Sequence, residues 1–390
     1  MNPGLYIHVP FCLRKCPYCD FYSEADLTLK SAFLEALRCE MALVAEALPD
    51  AGGFDTVYFG GGTPSLLEPS EVAGVLDAVQ RHFTVADDVE VTLEVNPGTV
   101  TPEKLAGFRH AGVNRLSIGV QSLDDATLRF LGRLHNAEQA RDVLDAARAC
   151  GFASLSADLI YGVGGATGQS VEAVLSDVTA LLSYAPEHLS CYMLTLEEGT
   201  PLHARHSNND FMMPDETAQG TLFSTVSDTL TEGGYLHYEV SNFARSPGFV
   251  SRHNTKYWEM VTTVGLGPSA HGFWCGGGGR QEPSRWWNVA NLRSWLACLK
   301  EGRRPVQGEE TLDREALMTE ALYLGLRRME GVALKDFHRR FAVDLVSVLG
   351  GLFGELEEQG LMVRSSDAIR LTRRGFAVAD GIVLRLLQAL

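Results

Sequence analysis

Apolar and polar positions follow two alternating spacings along the first half of the chain. Short apolar runs that are typical of buried strands are each followed by a stretch in which apolar residues recur at helical spacing. This strand–helix alternation predicts parallel βαβ units. With about six repeats, and with polar motifs at the carboxyl ends of the strands, the pattern favours an open or closed β/α barrel over a flat doubly wound sheet. The predicted strands are 5–11, 54–59, 89–95, 115–120, 154–160 and 188–194, and the predicted helices are 27–48, 69–79, 101–112, 123–131, 137–150 and 170–182.

The second half of the chain is less regular. We predict a polar loop at 200–215, a helix at 217–231, a strand at 235–243 that continues the sheet, and a helix at 286–299. The segment 248–287 is rich in Gly, Trp and Tyr, and its glycine run at 276–279 predicts a mobile turn.

The last part of the chain predicts a separate α+β module. A boundary near 302–308 precedes helices at 312–326, 334–341 and 349–359, short strands at 362–363 and 369–372, and a final helix from Arg374. This order resembles a winged helix, although no concentrated basic recognition helix supports DNA binding. We therefore predict three domains, which are 1–235, 236–305 and 306–390.

Charge and cysteine usage narrow the function. The 390 residues carry a formal net charge of −16, which argues against nucleic acid as the main partner and against broad electrostatic docking on anionic lipid. No stretch of the sequence approaches a membrane span, so we expect at most peripheral membrane contact. The first residues show no signal-peptide pattern, and five cysteines are scattered as reduced thiols would be. We expect a cytoplasmic protein.

The other three cysteines form a compact motif. Cys12, Cys16 and Cys19 have the spacing C-x3-C-x2-C directly after the first predicted strand. Such a loop can place three thiolates around a 4Fe–4S cluster. Because such a cluster usually takes four thiolates, three leave one iron open to another ligand. The alternative is a zinc site completed by a histidine such as His8, but structural zinc sites usually show a second Cys/His pair.

Polar motifs end several of the predicted strands. Gly60-Gly61-Gly62-Thr63-Pro64 can bring backbone groups close to a ligand, with a tight turn as the alternative. Glu94 can accept a hydrogen bond from a ribose hydroxyl or an amino group, and Asp158 can bond a ribose or an adenine edge. Arg133 can pair with a carboxylate. Each of these, like Gln121, is by itself more often a solvated polar residue. Their shared position at strand ends favours one common site.

A second distinctive segment is His253-Asn254-Thr255-Lys256-Tyr257-Trp258. Its histidine can bind a metal such as haem iron, and its aromatic side chains can flank a macrocycle. The alternative is a packed aromatic corner with a hydrogen-bonded histidine. His271 is a weaker second candidate.

Together these motifs resemble the HemN/HemW branch of the radical S-adenosylmethionine (SAM) superfamily. The resemblance rests on Tyr6-to-Cys12, the three cysteines, Gly60-to-Pro64, Glu94-Val95-Asn96-Pro97 and Asp158-Leu159-Ile160-Tyr161-Gly162, and it extends over nearly the whole chain. It implies a partial (β/α)6-type radical SAM barrel that binds a 4Fe–4S cluster and SAM, followed by an aromatic and Gly-rich extension and the C-terminal module.

Two subgroups of this branch differ in their motifs. The oxygen-independent coproporphyrinogen III oxidases carry a fourth cysteine where this chain has Phe21, and an N-terminal arm before the cluster. The segment His253-to-Trp258 is similar to the H-N-x-x-Y-W motif of the haem chaperones. The resemblance therefore implies haem binding, delivery to acceptors such as respiratory cytochromes, and a donor such as bacterioferritin. A radical SAM enzyme acting on a porphyrin-like substrate is the alternative, and SAM cleavage and a monomeric or dimeric state are both left open.

The resemblance also assigns site residues. It implies that Cys12, Cys16 and Cys19 hold the cluster and that His253 binds haem. Gly162-Val163-Gly164-Gly165 departs from the Gly-Leu-Pro that is usual after the matching aspartate. The residues implied to contact SAM are Tyr6, Tyr18, Gly61, Gly62, Thr63, Glu94, Gln121, Arg133 and Asp158.

Overall fold

A parallel sheet with helices on one face forms the larger part of the molecule. The computed structural model describes residues 1–48, 51–166, 168–276 and 282–390. The predicted turn at 276–279 falls largely at 277–279, which lie outside these ranges. The first six strands are β1 (Gly4–Val9), β2 (Phe54–Gly61), β3 (Val85–Val95), β4 (Arg115–Gln121), β5 (Ser154–Tyr161) and β6 (His188–Met193).

The predicted strand–helix alternation is confirmed. Each neighbouring pair from β1 to β6 is parallel, which gives the partial (β/α)6 barrel that the sequence predicts. The helices of this region are α1 (Lys30–Ala47), α2 (Pro69–His82), α3 (Pro102–His110), α4 (Asp125–Phe130), α5 (Ala137–Ala149) and α6 (Val171–Ser183).

The two faces of the sheet differ in polarity because side chains alternate along each strand. Apolar residues such as Leu5, Ile7, Phe59 and Leu116 belong to the main core, which they share with the helices. The opposite, inner face carries the polar side chains. Its residues include Tyr6, Tyr58, Glu94, Ser117, Asp158 and Ser190. A parallel sheet is usually apolar on both faces, so this polar inner face indicates a ligand-binding interior.

Two predictions about the connecting segments are wrong. The segment 200–215 contains α7 (Pro201–Ser207), whose first turn is capped by the Thr200 hydroxyl and begins with proline. The predicted strand at 235–243 is instead a hairpin of β7 (Leu236–His237) and β8 (Asn242–Ala244), and β8 runs antiparallel to β6. The helix α8 (Glu216–Glu232) lies between α7 and β7 in the sequence, as predicted.

The extension adds further strands to the other edge of the sheet. A short helix α9 (Arg252–Trp258) precedes β9 (Thr263–Leu266), which pairs parallel with β1. The predicted helix at 286–299 is only partly correct, because its first part is the strand β11 (Ser284–Asn288). The remaining elements here are β10 (His271–Trp274), α10 (Leu292–Lys300) and β12 (Val306–Thr311). In the described part of the chain, the sheet has the order β12-β11-β10-β9-β1-β2-β3-β4-β5-β6-β8-β7.

The C-terminal module has its own core. Its helices surround a small sheet of order β13-β15-β14, which has one strand more than the sequence predicts. Its elements are α11 (Arg314–Gly325), β13 (Val332–Ala333), α12 (Leu334–Phe341), α13 (Leu345–Glu358), β14 (Met362–Arg364), β15 (Ala368–Leu371), α14 (Arg373–Phe376) and α15 (Ala379–Ala389). Within the described ranges, no helix combines the length and apolar character needed to cross a membrane.

Candidate functional site

The three motif cysteines lie on one loop at the carboxyl end of β1. This loop is fixed at several points: the Cys12 amide donates to the Glu24 carbonyl at 3.0 Å, and the Leu202 amide of α7 donates to the Pro17 carbonyl at 2.8 Å. All three thiols are free and partly exposed. Cys16 receives a contact of 3.6 Å from the Arg133 guanidinium. The loop thus presents three accessible thiols beside a fixed cation.

The histidine that the zinc alternative would use as its fourth ligand is already hydrogen-bonded on both ring nitrogens. The two ring nitrogens of His8 already contact the Tyr6 hydroxyl at 3.2 Å and the Tyr22 carbonyl at 2.9 Å. Among the residues that the structure describes, no group of three or more His, Cys, Asp or Glu side chains converges on a single ion. A 4Fe–4S cube is held through separate irons, so its thiolates need not converge on one point. The donor set fits a cluster better than it fits zinc.

The glycine-rich loop after β2 packs directly against the cysteine loop. The Gly62 amide donates to the Val9 carbonyl at 2.9 Å, and a Cβ at Gly62 would lie 2.7 Å from the Phe11 carbonyl oxygen. Gly61 has a φ of +108°, which favours glycine. Thr63 Oγ1 lies 3.4 Å from the Cys12 sulfur. The two predicted motifs therefore form one continuous wall.

Two carboxyl groups lie on the inner face of the sheet near this wall. Glu94 accepts a 2.9 Å hydrogen bond from the Tyr58 hydroxyl, and Asp158 accepts one of 3.0 Å from Ser117. Burial raises the pKa of Glu94 to about 7 and the pKa of Asp158 to about 6. Desolvated carboxyl groups of this kind bind a cationic or hydroxyl-bearing ligand favourably, because the ligand replaces the missing water.

Gln121 and Arg133 carry buried polar atoms that no described group satisfies. Both side chains flank Gly119, where an added Cβ would lie 3.0 Å from Gln121 Nε2 and 3.2 Å from Arg133 Nη2. Gln121 Oε1 and Arg133 Nε have no hydrogen-bond partner. Gln121 also has a φ of +66°, a conformation that a non-glycine residue rarely adopts. Unsatisfied polar groups and backbone strain together are typical of a ligand site.

The His253 segment lies away from the cysteine loop, at the amino ends of β1 and β2. His253 is only 1% exposed, and its Nδ1 lies 2.9 Å from the Thr56 hydroxyl and its Nε2 lies 3.1 Å from the Tyr257 hydroxyl. Burial lowers its pKa to about 3, which keeps the ring neutral. To bind iron, this imidazole would have to give up one of the two hydrogen bonds, so its role as a haem ligand stays a prediction.

An aromatic stack connects this segment to the strand-end carboxyl groups. The ring of Tyr58 lies 5.0 Å from that of His253, and Tyr6 stacks on Tyr58 at 6.1 Å. Our sequence reasoning missed Tyr58, Ser117 and the nearby Arg115. Their position in the sequence could have identified them. Each lies an even number of residues before a strand-end motif, and side chains with this spacing lie on the same face of the sheet.

His271 and the segment Gly162-Val163-Gly164-Gly165, which departs from the family pattern, both lie outside the aromatic stack. His271 is exposed at the start of β10, and its ring stacks on Trp287 at 6.2 Å. Gly164 packs tightly against Phe211, since an added Cβ would lie 2.3 Å from that ring. Gly164, which stands where the usual pattern has proline, therefore allows the segment after α7 to approach this loop.

Comparison with known proteins agrees with this geometry. Residues 6–178 match the radical SAM superfamily, and residues 312–378 match the HemN C-terminal domain. A solved structure of coproporphyrinogen III oxidase (HemN) from Escherichia coli has a similar fold, with a TM-score of 0.82. The two sequences are 20% identical over 100% of this chain and 91% of the other, so the likeness shows the fold alone.

Several relatives are similar over nearly their full length. The heme chaperone HemW of Mycobacterium tuberculosis is 37% identical over 98% of this chain and 94% of its own. The heme chaperone HemW of Bacillus subtilis is 31% identical, covering 95% of each. The mitochondrial radical S-adenosyl methionine domain-containing protein 1 of Bos taurus is 36% identical, over 99% of this chain and 88% of that protein.

Proposed function

Since the chain belongs to the HemW family of heme chaperones within the radical SAM superfamily, we propose that it binds haem and transfers it to acceptor proteins, with a 4Fe–4S cluster and SAM bound in its barrel. The observation that carries this proposal is the aromatic stack. The Tyr58 ring stacks on His253, which belongs to the segment that resembles a haem-binding motif. The Tyr58 hydroxyl donates to Glu94, a proposed SAM contact. One structural unit therefore joins the two predicted binding regions.

The cysteine loop supplies the proposed cluster ligands Cys12, Cys16 and Cys19. Three thiolates would leave one iron of a cluster open to a further ligand, which the family resemblance implies is SAM. When bound and reduced, such a cluster would supply an electron for the cleavage of a carbon–sulfur bond of SAM. Arg133 lies beside Cys16 and donates to the Tyr18 hydroxyl at 3.3 Å, so it can hold both the loop and a carboxylate ligand in place.

The remaining proposed SAM contacts follow the strand ends. Gly61, Gly62 and Thr63 offer backbone groups to the methionine moiety, with Tyr6 on the neighbouring strand. Glu94 and Asp158 lie where hydroxyl or amino groups can donate to them. Gln121 has a free acceptor oxygen for the same purpose. The unsatisfied atoms and the raised carboxyl pKa values support these assignments.

The proposed haem acceptors are described by the chemistry they need. A chaperone needs an acceptor apoprotein whose own haem site is empty, and by family resemblance these include respiratory cytochromes, with bacterioferritin as a donor. The scattered, unpaired cysteines support a cytoplasmic location. A monomer or a homodimer is compatible with this role.

A haem titration tests the proposal. The protein is reconstituted anaerobically with iron and sulfide, and haem binding is followed by absorbance. We expect the protein to bind haem stoichiometrically. We also expect the rate of haem transfer to an apo b-type cytochrome to exceed the rate of passive haem loss, which is measured with apomyoglobin as a scavenger. Absence of haem binding would refute the proposal and favour the alternative, an enzyme acting on a porphyrin-like substrate.

The Cys16→Ser variant separates the two parts of the site. Loss of SAM cleavage with intact haem transfer would indicate separate functions, whereas equal loss of both would indicate one coupled mechanism. The oxidase alternative is tested directly by assaying porphyrinogen decarboxylation with SAM. At the position of the oxidases' fourth cysteine, Phe21 is 67% exposed, and no thiol of the motif replaces it.

A further inference from the structure

A chain of hydrogen bonds leads from Asp158 into the wall of the barrel. Ser156 Oγ lies 3.4 Å from an Asp158 carboxylate oxygen and 2.8 Å from Nδ1 of His188. On the other side of the same ring, His188 Nε2 lies 2.7 Å from the Tyr238 hydroxyl. Ser156 and His188 lie opposite each other on β5 and β6, and both are 0% exposed. The chain therefore joins a proposed SAM contact to three residues to which the family resemblance assigns no role.

The charge state of His188 determines how this chain can be arranged. Burial lowers the pKa of His188 well below 6.5, with a smaller contribution from Arg115, so the ring is neutral. A neutral imidazole has one N–H donor and one acceptor nitrogen. Its two hydrogen bonds must therefore run in the same direction along the chain. When Nδ1 donates to Ser156, Nε2 accepts from Tyr238.

Asp158 selects one of the two directions. An ionised carboxylate only accepts hydrogen bonds, and bonds to a charged acceptor are the stronger ones. The single hydrogen of the Ser156 hydroxyl is best used toward Asp158, although Ser190 Oγ also lies 3.5 Å from this hydroxyl. Ser156 then accepts from His188, and His188 accepts from Tyr238. In the opposite direction Ser156 donates to the histidine, and Asp158 loses this donor.

Tyr238 is held in place by backbone hydrogen bonds to two parts of the chain. Its amide donates to the Asn242 carbonyl at 3.2 Å within the β7–β8 hairpin, and its carbonyl accepts from the Met329 amide at 3.1 Å. The Val240 amide donates to the Arg327 carbonyl at 2.9 Å. Arg327 and Met329 follow α11, so the C-terminal module fixes the backbone from which the Tyr238 hydroxyl reaches the histidine.

We propose that His188 and Tyr238 are positioning residues, which direct the Ser156 hydroxyl toward Asp158 and so keep this carboxylate available as an acceptor for SAM. This inference rests on the proposed SAM binding. A donor to an ionised carboxylate lowers its pKa, and loss of that donor raises it. Since burial has already raised the pKa of Asp158 to about 6, a further increase reduces the ionised fraction near neutral pH.

Several other groups surround Asp158, and they belong to four strands. They are Tyr58 on β2, Glu94 on β3, Arg115 and Ser117 on β4, and Ser190, Cys191 and Tyr192 on β6. Burial raises the pKa of Glu94 to about 7, so SAM affinity depends on pH through this second carboxyl group as well. These groups are unchanged in variants of His188 and Tyr238. The difference between such a variant and the wild type therefore isolates the hydrogen-bond chain.

Calorimetric titration with SAM at pH 6.5 and pH 8.5 tests the proposal. The full chain is used with its cluster reconstituted, without a reductant, so that SAM is not cleaved. Tyr238→Phe should bind SAM roughly 3-fold more weakly than the wild type at pH 6.5 but within about 2-fold of it at pH 8.5, where Asp158 is ionised in both proteins. The matched control is Tyr235→Phe, because this buried hydroxyl donates to the Pro186 carbonyl outside the chain. The control should keep the wild-type ratio of the two affinities.

Two substitutions of His188 test the role of its ring. His188→Leu breaks the chain and should reproduce the loss at pH 6.5. His188→Gln should stay within about 2-fold of the wild type at both pH values, because an amide can donate to Ser156 and accept from Tyr238. Iron content and circular dichroism verify the fold of each variant, and if His188→Leu does not fold, Tyr238→Phe decides.

The outcomes separate this inference from the proposed function. Equal weakening of Tyr238→Phe at both pH values would indicate a merely structural role and overturn the inference, as would an unchanged affinity at both. A His188→Gln variant as weak as His188→Leu would contradict it too. A wild type that binds no SAM at either pH refutes the proposed SAM binding itself.

Discussion

The Tyr58 hydroxyl donates a 2.9 Å hydrogen bond to the Glu94 carboxylate, and this pair lies in the interior of the barrel. Burial raises the pKa of Glu94 from 4.5 to about 7. In the unfolded chain the carboxyl ionises above pH 4.5, whereas in the folded protein it stays protonated until about pH 7. Its ionisation therefore lowers the stability progressively between these values, and the loss is complete above pH 7.

Glu94→Gln should remove this pH-dependent cost. The shift corresponds to about 3 kcal/mol, so relative to the wild type the variant should gain up to roughly that much unfolding free energy between pH 4.5 and pH 8. Denaturation of both proteins without SAM at several pH values measures the difference. Because other buried acids such as Asp158 titrate in both proteins, only the difference between them is diagnostic. A difference independent of pH would contradict the prediction.

Substitution of any motif cysteine should abolish cluster assembly. Cys12→Ser, Cys16→Ser and Cys19→Ser should each bind less than one iron per chain after anaerobic reconstitution, against about four in the wild type, because each thiolate is proposed to hold a different iron. Iron analysis and visible absorbance measure the loss. Cys39→Ser is the control, since this exposed cysteine lies on α1 outside the motif. Full iron content in a motif variant would argue against the assignment.

Gly61→Ala should destabilise the protein by about 1–3 kcal/mol. The added Cβ would lie 2.6 Å from the His8 ring, at a φ of +108°. Gly351→Ala is a suitable control, because the structure places no atom within 4 Å of the added group on α13. That change should stabilise the protein by about 0.5–1 kcal/mol. Equal effects of the two substitutions in thermal or chemical denaturation would refute the interpretation of the glycine loop.

Arg133→Lys should weaken SAM binding by at least about 10-fold while the fold is retained, since an ammonium group cannot reproduce the planar guanidinium contacts. Arg133 donates to the Gly119 carbonyl at 3.0 Å and to the Tyr18 hydroxyl at 3.3 Å. Calorimetric titration of the reconstituted protein with SAM measures the affinity. Arg129→Lys is the comparison, because Arg129 is exposed on α4. Unchanged affinity in the first variant would remove Arg133 from the site.

The parts of the fold that follow from local patterns were predicted well. The strands that end at Gly61, Val95, Gln121 and Tyr161 have clear apolar alternation, and the polar residues beyond them meet at one edge because parallel strands share a direction. The helix at Pro201–Ser207 could also have been found, since Thr200 and Pro201 are common start signals.

Strand β11 was missed because its signal is not local. Trp286 packs over Gly272 on β10, where an added Cβ would lie 2.2 Å from the indole, and Trp287 packs in the same way over Gly308 on β12. Each large side chain thus needs a glycine on a neighbouring strand that is distant in sequence. Similarly, the sequence identifies His253 as a chemically capable residue but contains no measure of its burial, which depends on Thr56 and Tyr58 of strand β2.

The pairing of β1 with β9 has a mechanical consequence. Gly4 lies opposite Thr263 and Ile7 opposite Leu266, so the two strands share one hydrogen-bonded ladder. One end of this ladder leads within a few residues to Cys12, and β9 begins shortly after Tyr257. The cysteine loop and the aromatic segment are therefore both attached to the same pair of strands, and the hydrogen bonds of this ladder oppose any sliding of β9 along β1.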